Sequence, residues 1–110
     1  MAAKKRITTV PVCAEDCPVR KTAQIIDGKW TTLIIRDLLP GKKRYYELLD
    51  SLHGISPKML ATRLRFLEER DIIAKEIFPT IPPKTEYRLT PLGKKLQKLI
   101  VAMGEFGARL

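Results

Sequence analysis

Apolar residues recur at helical spacing through the first half of the chain. Val19, Ala23 and Ile26 follow Pro18 and stop at Gly28, with proline suited to a first helical position and glycine to a stop. A second helix is predicted from about Lys29 to Leu39. Trp30, Leu33, Ile34 and Leu38 form its inward stripe and Pro40-Gly41 ends it. A third runs over about Tyr45 to Leu52, where Tyr45, Leu48, Leu49 and Leu52 sit at i, i+3, i+4 and i+7. His53-Gly54-Ile55 then makes a short turn. Ser56 caps a fourth helix, with Pro57 at its first position and Leu60, Leu64 and Leu67 facing inward as far as about Arg70. A helix, a short glycine-containing turn and a capped helix make a helix-turn-helix.

After Asp71 the period changes. Ile72 to Phe78 is rich in β-branched and aromatic residues and predicts a strand. Pro79, Pro82 and Pro83 with Lys84 form a stiff, basic loop that joins the two strands. Thr85 to Leu89 then alternates, with Tyr87 and Leu89 on one face and Glu86 and Arg88 on the other. Such a hairpin is marginal in water, so it must pack on the helices as a wing. Thr90-Pro91 repeats the cap-then-proline signal and opens a last helix over about 91–110. Leu92, Leu96, Leu99, Met103, Phe106 and Leu110 are spaced as a heptad seam, the pattern that pairs helices. Packing within one subunit is the alternative, but so long a stripe on so small a domain favours dimerisation. The expected fold is therefore mostly α with a small β-wing, a winged helix-turn-helix in the order α-α-α-α-β-β-α.

Composition narrows the partners. The 110 residues suit one domain. It is expected over 16–110, after a mobile basic arm over 1–15 that carries Lys4, Lys5 and Arg6. A formal net charge of +9 points to a polyanion partner. No apolar run reaches membrane-span length and no h-region follows the basic start, so a cytoplasmic location and no membrane partner are expected. Cys13, Cys17 and His53 are too few for a disulfide framework or a zinc site. Neither a metal nor a cofactor is expected, and no pattern identifies a small-molecule effector.

The candidate chemistry lies on the fourth helix. At 100° per residue, Lys58, Thr62 and Arg65 lie opposite its leucines, with Ala61 beside them. They offer a cationic donor, a hydroxyl and a guanidinium, the last able to bridge guanine O6 and N7. Ser56 and Pro57 open the helix, where backbone N–H groups suit a phosphate, and Arg63 joins the candidate set. Glu69 would repel phosphate, so reading should concentrate in the N-terminal half. Lys84 in the wing, with Lys75 and Arg88, and Lys42, Lys43 and Arg44 before the third helix are further candidates for backbone contact.

Cys17-Pro18-Val19, Gly28-Lys29-Trp30, Glu47-Leu48, Gly54-Ile55-Ser56-Pro57-Lys58-Met59-Leu60, Arg63-Leu64, Leu67-Glu68, Tyr87 and Leu89-Thr90-Pro91-Leu92-Gly93 together resemble the HxlR-type regulators, relatives of the MarR winged helices. The resemblance covers about residues 13 to 107. It implies a homodimer on double-stranded DNA, an operator with two half-sites, and repression or activation of nearby genes. It also implies a sensing role for Cys17, which responds to oxidants or electrophiles in some members. Tyr46 departs from the pattern, which commonly has a small residue before Glu-Leu. The basic arm and Cys13 lie outside it.

Two readings of Cys17 stand side by side. As the start of a helix, with Arg20 and Lys21 following, it is placed for a thiolate, while Glu15 and Asp16 oppose this. As a small apolar side chain it packs where the helix begins. Cys13, four residues away, could resolve an oxidised Cys17, or the two subunits could cross-link. An enzyme with Cys17 as nucleophile needs a base within reach, and the single histidine falls in the helix-turn-helix turn. A winged helix used for protein or RNA contact is the remaining alternative.

Overall fold

The computed structural model describes residues 17–110. The basic arm expected over 1–15, and Cys13 with it, lie outside the described residues. The elements are α1 (Pro18–Ile25), α2 (Lys29–Leu38), β1 (Lys43–Arg44), α3 (Tyr45–Ser51), α4 (Pro57–Glu69), β2 (Ile73–Phe78), β3 (Lys84–Leu89), α5 (Pro91–Lys94) and α6 (Gln97–Gly107). The three strands form one antiparallel sheet in the order β1-β3-β2. No helix among the described residues is long and apolar enough to cross a membrane.

Four helices and the wing share one core, the fourth helix through Ile100 of α6. Ile34, Ile35 and Leu38 from α2, Leu48 and Leu52 from α3, and Leu60, Leu64 and Leu67 from α4 close it, with Ile73 and Leu89 from the wing. Each such aliphatic side chain contributes roughly 1.5–3 kcal/mol when fully removed from water. The hairpin is thus held by the helices, as the marginal stability of an isolated hairpin requires. In α2 the inward stripe shifts from expectation. Ile35 and Thr31 are fully buried, whereas Trp30 and Leu33 are half-buried on its margin. On α1, Val19 and Ala23 are exposed and only Ile25 and Ile26 pack on the core. Eight residues of helix at the border of the domain leave the outer stripe uncovered by the other described residues.

Local chemistry sets the boundaries. Ser56 Oγ accepts the Met59 N–H at 3.0 Å, capping α4 ahead of Pro57. Gly54, at φ +92°, supplies the left-handed residue that lets the α3–α4 turn stay short. At the other end of α4, Asp71 takes φ +61°, a conformation acidic side chains tolerate better than most. The Ile72 N–H then bonds the Leu67 carbonyl at 3.0 Å and the chain turns directly into β2.

Two features depart from the expected order. Lys43 and Arg44, expected in a charged connection, form a short strand paired with Tyr87 and Glu86 of β3. The expected single helix over 91–110 is also broken. Leu96 N–H bonds Gly93 carbonyl at 3.0 Å, a tighter i→i−3 turn, before Ile100 N–H resumes the α pattern on Leu96. The chain must satisfy two docking points here, Gly93 against the Ile72 backbone and Ile100 in the core. A straight heptad helix does not serve both. Leu96 consequently packs on the subunit's own core, Leu99 is half-buried, and Leu92, Met103, Phe106 and Leu110 stay exposed.

Candidate nucleic-acid interface

Helix α4 divides its faces sharply. Leu60, Leu64 and Leu67 are buried, while Lys58, Ala61, Thr62 and Arg65 are exposed on the opposite side. Neither Lys58 nor Arg65 forms an ion pair among the described residues, so both charged ends are available to an incoming partner. Thr62 is partly committed. Its hydroxyl donates to the Lys58 carbonyl at 2.9 Å, which leaves oxygen lone pairs and the methyl group facing outward. Ser56 has the complementary arrangement. Its oxygen is occupied by the cap, which leaves its hydroxyl proton as a donor.

Arg63 is placed differently from its neighbours. It is half-buried, its guanidinium lies against Gly28 at the start of α2, and its Nε is buried with no hydrogen-bond partner. It flanks the exposed face with its guanidinium near the start of α2, so it does not stand clear beside Lys58 and Arg65. Helical periodicity alone puts Arg63 on the border between faces; the direction its long side chain takes depends on the packing of α2.

The N-terminal end of α3 adjoins that of α4. The Tyr45 hydroxyl donates to the Pro57 carbonyl at 3.4 Å, and Tyr46 stands edge-on to Tyr45 with centroids 5.3 Å apart. Tyr46 itself is 74% exposed. The Arg44 N–H bonds Glu47 Oε1 at 2.7 Å, fixing the first turn of α3. Between this end of α3 and the returning arm of the wing lies a cleft of about 810 Å³, bounded by Arg44, Tyr46 and Asp50 on one side and Pro82, Pro83 and Lys84 on the other. The start of α4, the start of α3 and the wing therefore follow one another across one side of the molecule. Sequence periodicity singled out the first of these. The cleft was not legible, because it is made by residues nearly forty positions apart brought together through the β1–β3 pairing.

The other basic candidates divide between contact and construction. Lys42 reaches Glu86 at 3.4 Å, tying the entry of β1 to β3. Lys43 is half-buried in the sheet and Arg44 is exposed at the cap of α3. Lys84 starts β3 with its ammonium 5.2 Å from the centre of the Phe78 ring, a cation–π distance. The wing loop itself, 79–83, carries no basic residue: Lys84, expected in the loop, is instead the first residue of β3, where the ladder pairs it with Phe78.

Tyr87 occupies the back of this surface. Burial first, and then the carboxylate of Glu68, raise its pKa above the ordinary phenol value. It is a neutral structural side chain joining α4 to the sheet. Cys17 is 5% exposed at the N-cap position of α1, and its carbonyl accepts the Lys21 N–H at 3.0 Å.

Comparison with known proteins adds an independent line. The HxlR-like helix-turn-helix family matches residues 25–110. An uncharacterised helix-turn-helix-type transcriptional regulator of Synechocystis sp., sll1512, is 41% identical over 92 residues, covering 84% of this chain and 68% of that protein. Among solved structures, a transcriptional regulator assigned to the MarR family from Porphyromonas gingivalis W83 superposes with a TM-score of 0.86 at 45% identity, covering 89% of this chain and 96% of that one. The redox regulator HypR in its oxidised form superposes with a TM-score of 0.81 at 36% identity, covering 86% and 97%. The helix-turn-helix, the wing and these matches over most of the chain lead to one assignment: the protein belongs to the HxlR-like helix-turn-helix family.

Proposed function

We propose that the protein is a transcriptional regulator that binds operator DNA as a homodimer in the cytoplasm. The observation that carries this reading is the exposed side of α4, where Lys58, Ala61, Thr62 and Arg65 stand on a helix anchored from behind by three buried leucines. A recognition helix needs this arrangement, because base edges are read by side chains held rigidly over the major groove. The relative in Synechocystis and the Porphyromonas structure are both described as transcriptional regulators. Ser56 and the exposed Arg44 supply backbone contacts that set the register.

Dimerisation rests on α6. Val101, Met103, Phe106 and Leu110 are exposed together at the end of the chain, Phe106 at 67%. An apolar end of this kind on so small a domain is best covered by a second copy, which also places two recognition helices on two half-sites. Selection of bound sequences from a random duplex pool with the purified protein tests the proposal. A symmetric or pseudo-symmetric motif is expected. A protein that shows no duplex affinity even at low ionic strength would sink it.

A second reading concerns control. The likeness to HypR, described as a redox regulator, supports Cys17 as an oxidant- or electrophile-responsive thiol. Cys17 is the N-cap residue of α1, with Arg20 and Lys21 in the first turn of that helix. Because Cys17 is buried, its modification is coupled to opening of the N-terminal end of α1, a route by which oxidation reaches the dimer. Cys13 is the candidate resolving thiol.

A further inference from the structure

The base of the wing forms a second cavity, separate from the cleft beside α3. It holds about 280 Å³ and lies where the end of α2, the base of β3 and α5 meet. The buried Leu38 and Leu89 and the half-buried Leu39 give it apolar walls. Lys42, Arg88 and Lys94 also line it, all three exposed, and no acidic residue does so among the described residues. Arg88 and Lys94 form no ion pair among the described residues. Lys42 is shared, since its ammonium lies 3.4 Å from Glu86, which stands outside the cavity lining. Cations brought to one cavity from three elements or their flanks repel one another, and a bound anion removes that repulsion. The proposed DNA face is at the other end of β3. From Lys84 to Leu89 the strand advances roughly 17 Å.

We propose that this cavity binds a compact organic phosphate monoester, with the phosphate on Arg88 and Lys94 and the apolar body against Leu38, Leu39 and Leu89. Two unpaired cations and a third shared with Glu86 match a dianion better than a single carboxylate. A phosphate monoester is close to dianionic at neutral pH. The Arg88 guanidinium offers it paired N–H donors, and the Lys94 ammonium a point charge. The volume falls just below that of drug-sized pockets, which suits one small ring. The site also has leverage on the fold. Lys94 follows Gly93, the residue packed against the Ile72 carbonyl. A ligand held between Lys94 and Arg88 fastens α5 to β3 at this junction, and the junction sets the direction in which α6 leaves the domain. Here the proposal rests on the homodimer reading above, because occupancy then acts on the spacing of two recognition helices. Binding of the ligand itself requires neither dimer nor DNA.

The test titrates the full chain, without DNA, with phenyl phosphate, inorganic phosphate and benzyl alcohol, followed by calorimetry and by leucine methyl NMR signals. Phenyl phosphate is expected to saturate one site per chain and to shift Leu38, Leu39 and Leu89. Inorganic phosphate should bind about tenfold more weakly, lacking an apolar body, and benzyl alcohol should not saturate. Arg88→Gln and Lys94→Gln should each weaken phenyl phosphate about tenfold. Both should melt like wild type, because the two side chains are exposed. Glu86→Gln should tighten binding by releasing Lys42, a sign that general loosening of the fold does not give. Lys98→Gln removes the same charge outside the cavity lining and should leave binding unchanged. Equal affinity for phenyl phosphate and inorganic phosphate overturns the proposal, as does an affinity indifferent to Arg88→Gln and Lys94→Gln. Competitive displacement of phenyl phosphate by duplex also overturns it and assigns these cations to DNA. On the selected operator, phenyl phosphate should change wild-type affinity by about fivefold or more and that of Lys94→Gln little; an unchanged wild type removes the coupling to α6. Failure to bind any duplex is a separate result: it removes the DNA-binding reading and leaves the titrations without DNA to decide the site.

Discussion

Gly93 of α5 and Ile72 at the start of the wing lie backbone against backbone. A Cβ on Gly93 would overlap the Ile72 carbonyl oxygen, and the only relief is movement of one chain segment. Thr90 fastens the same junction. Its hydroxyl donates to the Asp71 carbonyl at 2.6 Å, and its oxygen accepts the Gly93 N–H at 3.0 Å. This junction decides where the C-terminal helices leave the domain. Gly93→Ala should therefore lower unfolding free energy by about 3 kcal/mol, the upper end for overpacking a fixed backbone. Denaturant titration with an unchanged slope would measure it, and a loss under 0.5 kcal/mol would mean that α5 shifts freely.

Tyr87 makes stability pH-dependent on the alkaline side. Its pKa is raised in the fold by burial and by Glu68, so the unfolded chain loses the phenolic proton first. The stabilisation from the neutral phenol is complete below about pH 10, the unfolded value, and declines as pH rises toward the folded pKa. Stability curves from pH 8 to 11 should fall more steeply for wild type than for Tyr87→Phe. Parallel curves would show that Tyr87 does not govern this range.

Lys58→Ala and Arg65→Ala should each weaken binding to the selected operator by about 1–3 kcal/mol if the side chain reads a base. The two are separable by pattern. A base-reading arginine loses affinity with relaxed preference at one position, whereas a lysine on phosphate weakens all sequences alike and lowers the salt slope by about one. Arg63→Ala should behave differently from both, lowering thermal stability because its side chain is half-buried beside the start of α2. Equal operator affinity of wild type and both exposed-face variants would remove α4 from the groove.

Phe106→Glu should yield a folded monomer. The side chain is exposed in the single chain, so the charge costs little to the subunit and much to an apolar interface. Operator affinity should fall about a hundredfold or more, because the second half-site no longer binds at high effective concentration. Sedimentation equilibrium reads the first outcome and gel shift the second. An intact dimer would place the contact on another surface.

Diamide treatment should reduce operator affinity of wild type and leave Cys17→Ser unaffected. Burial of Cys17 adds a kinetic signature: thiol modification should be slow and should accelerate when the start of α1 is destabilised, as by Pro18→Gly. Oxidant sensitivity identical in wild type and Cys17→Ser would count against this cysteine as the sensor.

The sequence by itself determined the elements and their boundaries wherever the signal was local. Ser56-Pro57 and Thr90-Pro91 start helices because their hydroxyls cap backbone N–H groups three residues on, and the leucines of α4 recur with the helical period. The exposed polar side of α4 followed from the same period, and the relatives' motifs sharpened it into a family. Tertiary structure alone decided the rest. Strand β1 carries only Lys43 and Arg44, which have no β preference, and exists because β3 offers it an edge. The heptad seam after Thr90 is periodic in sequence but broken in space, since Gly93 and Ile100 must dock on different parts of the domain. Arg63 and Lys84 look like free cations until α2 and Phe78 claim them. Local pattern reports which face of an element is apolar; what a long side chain on its border touches depends on neighbours that only the folded chain brings near.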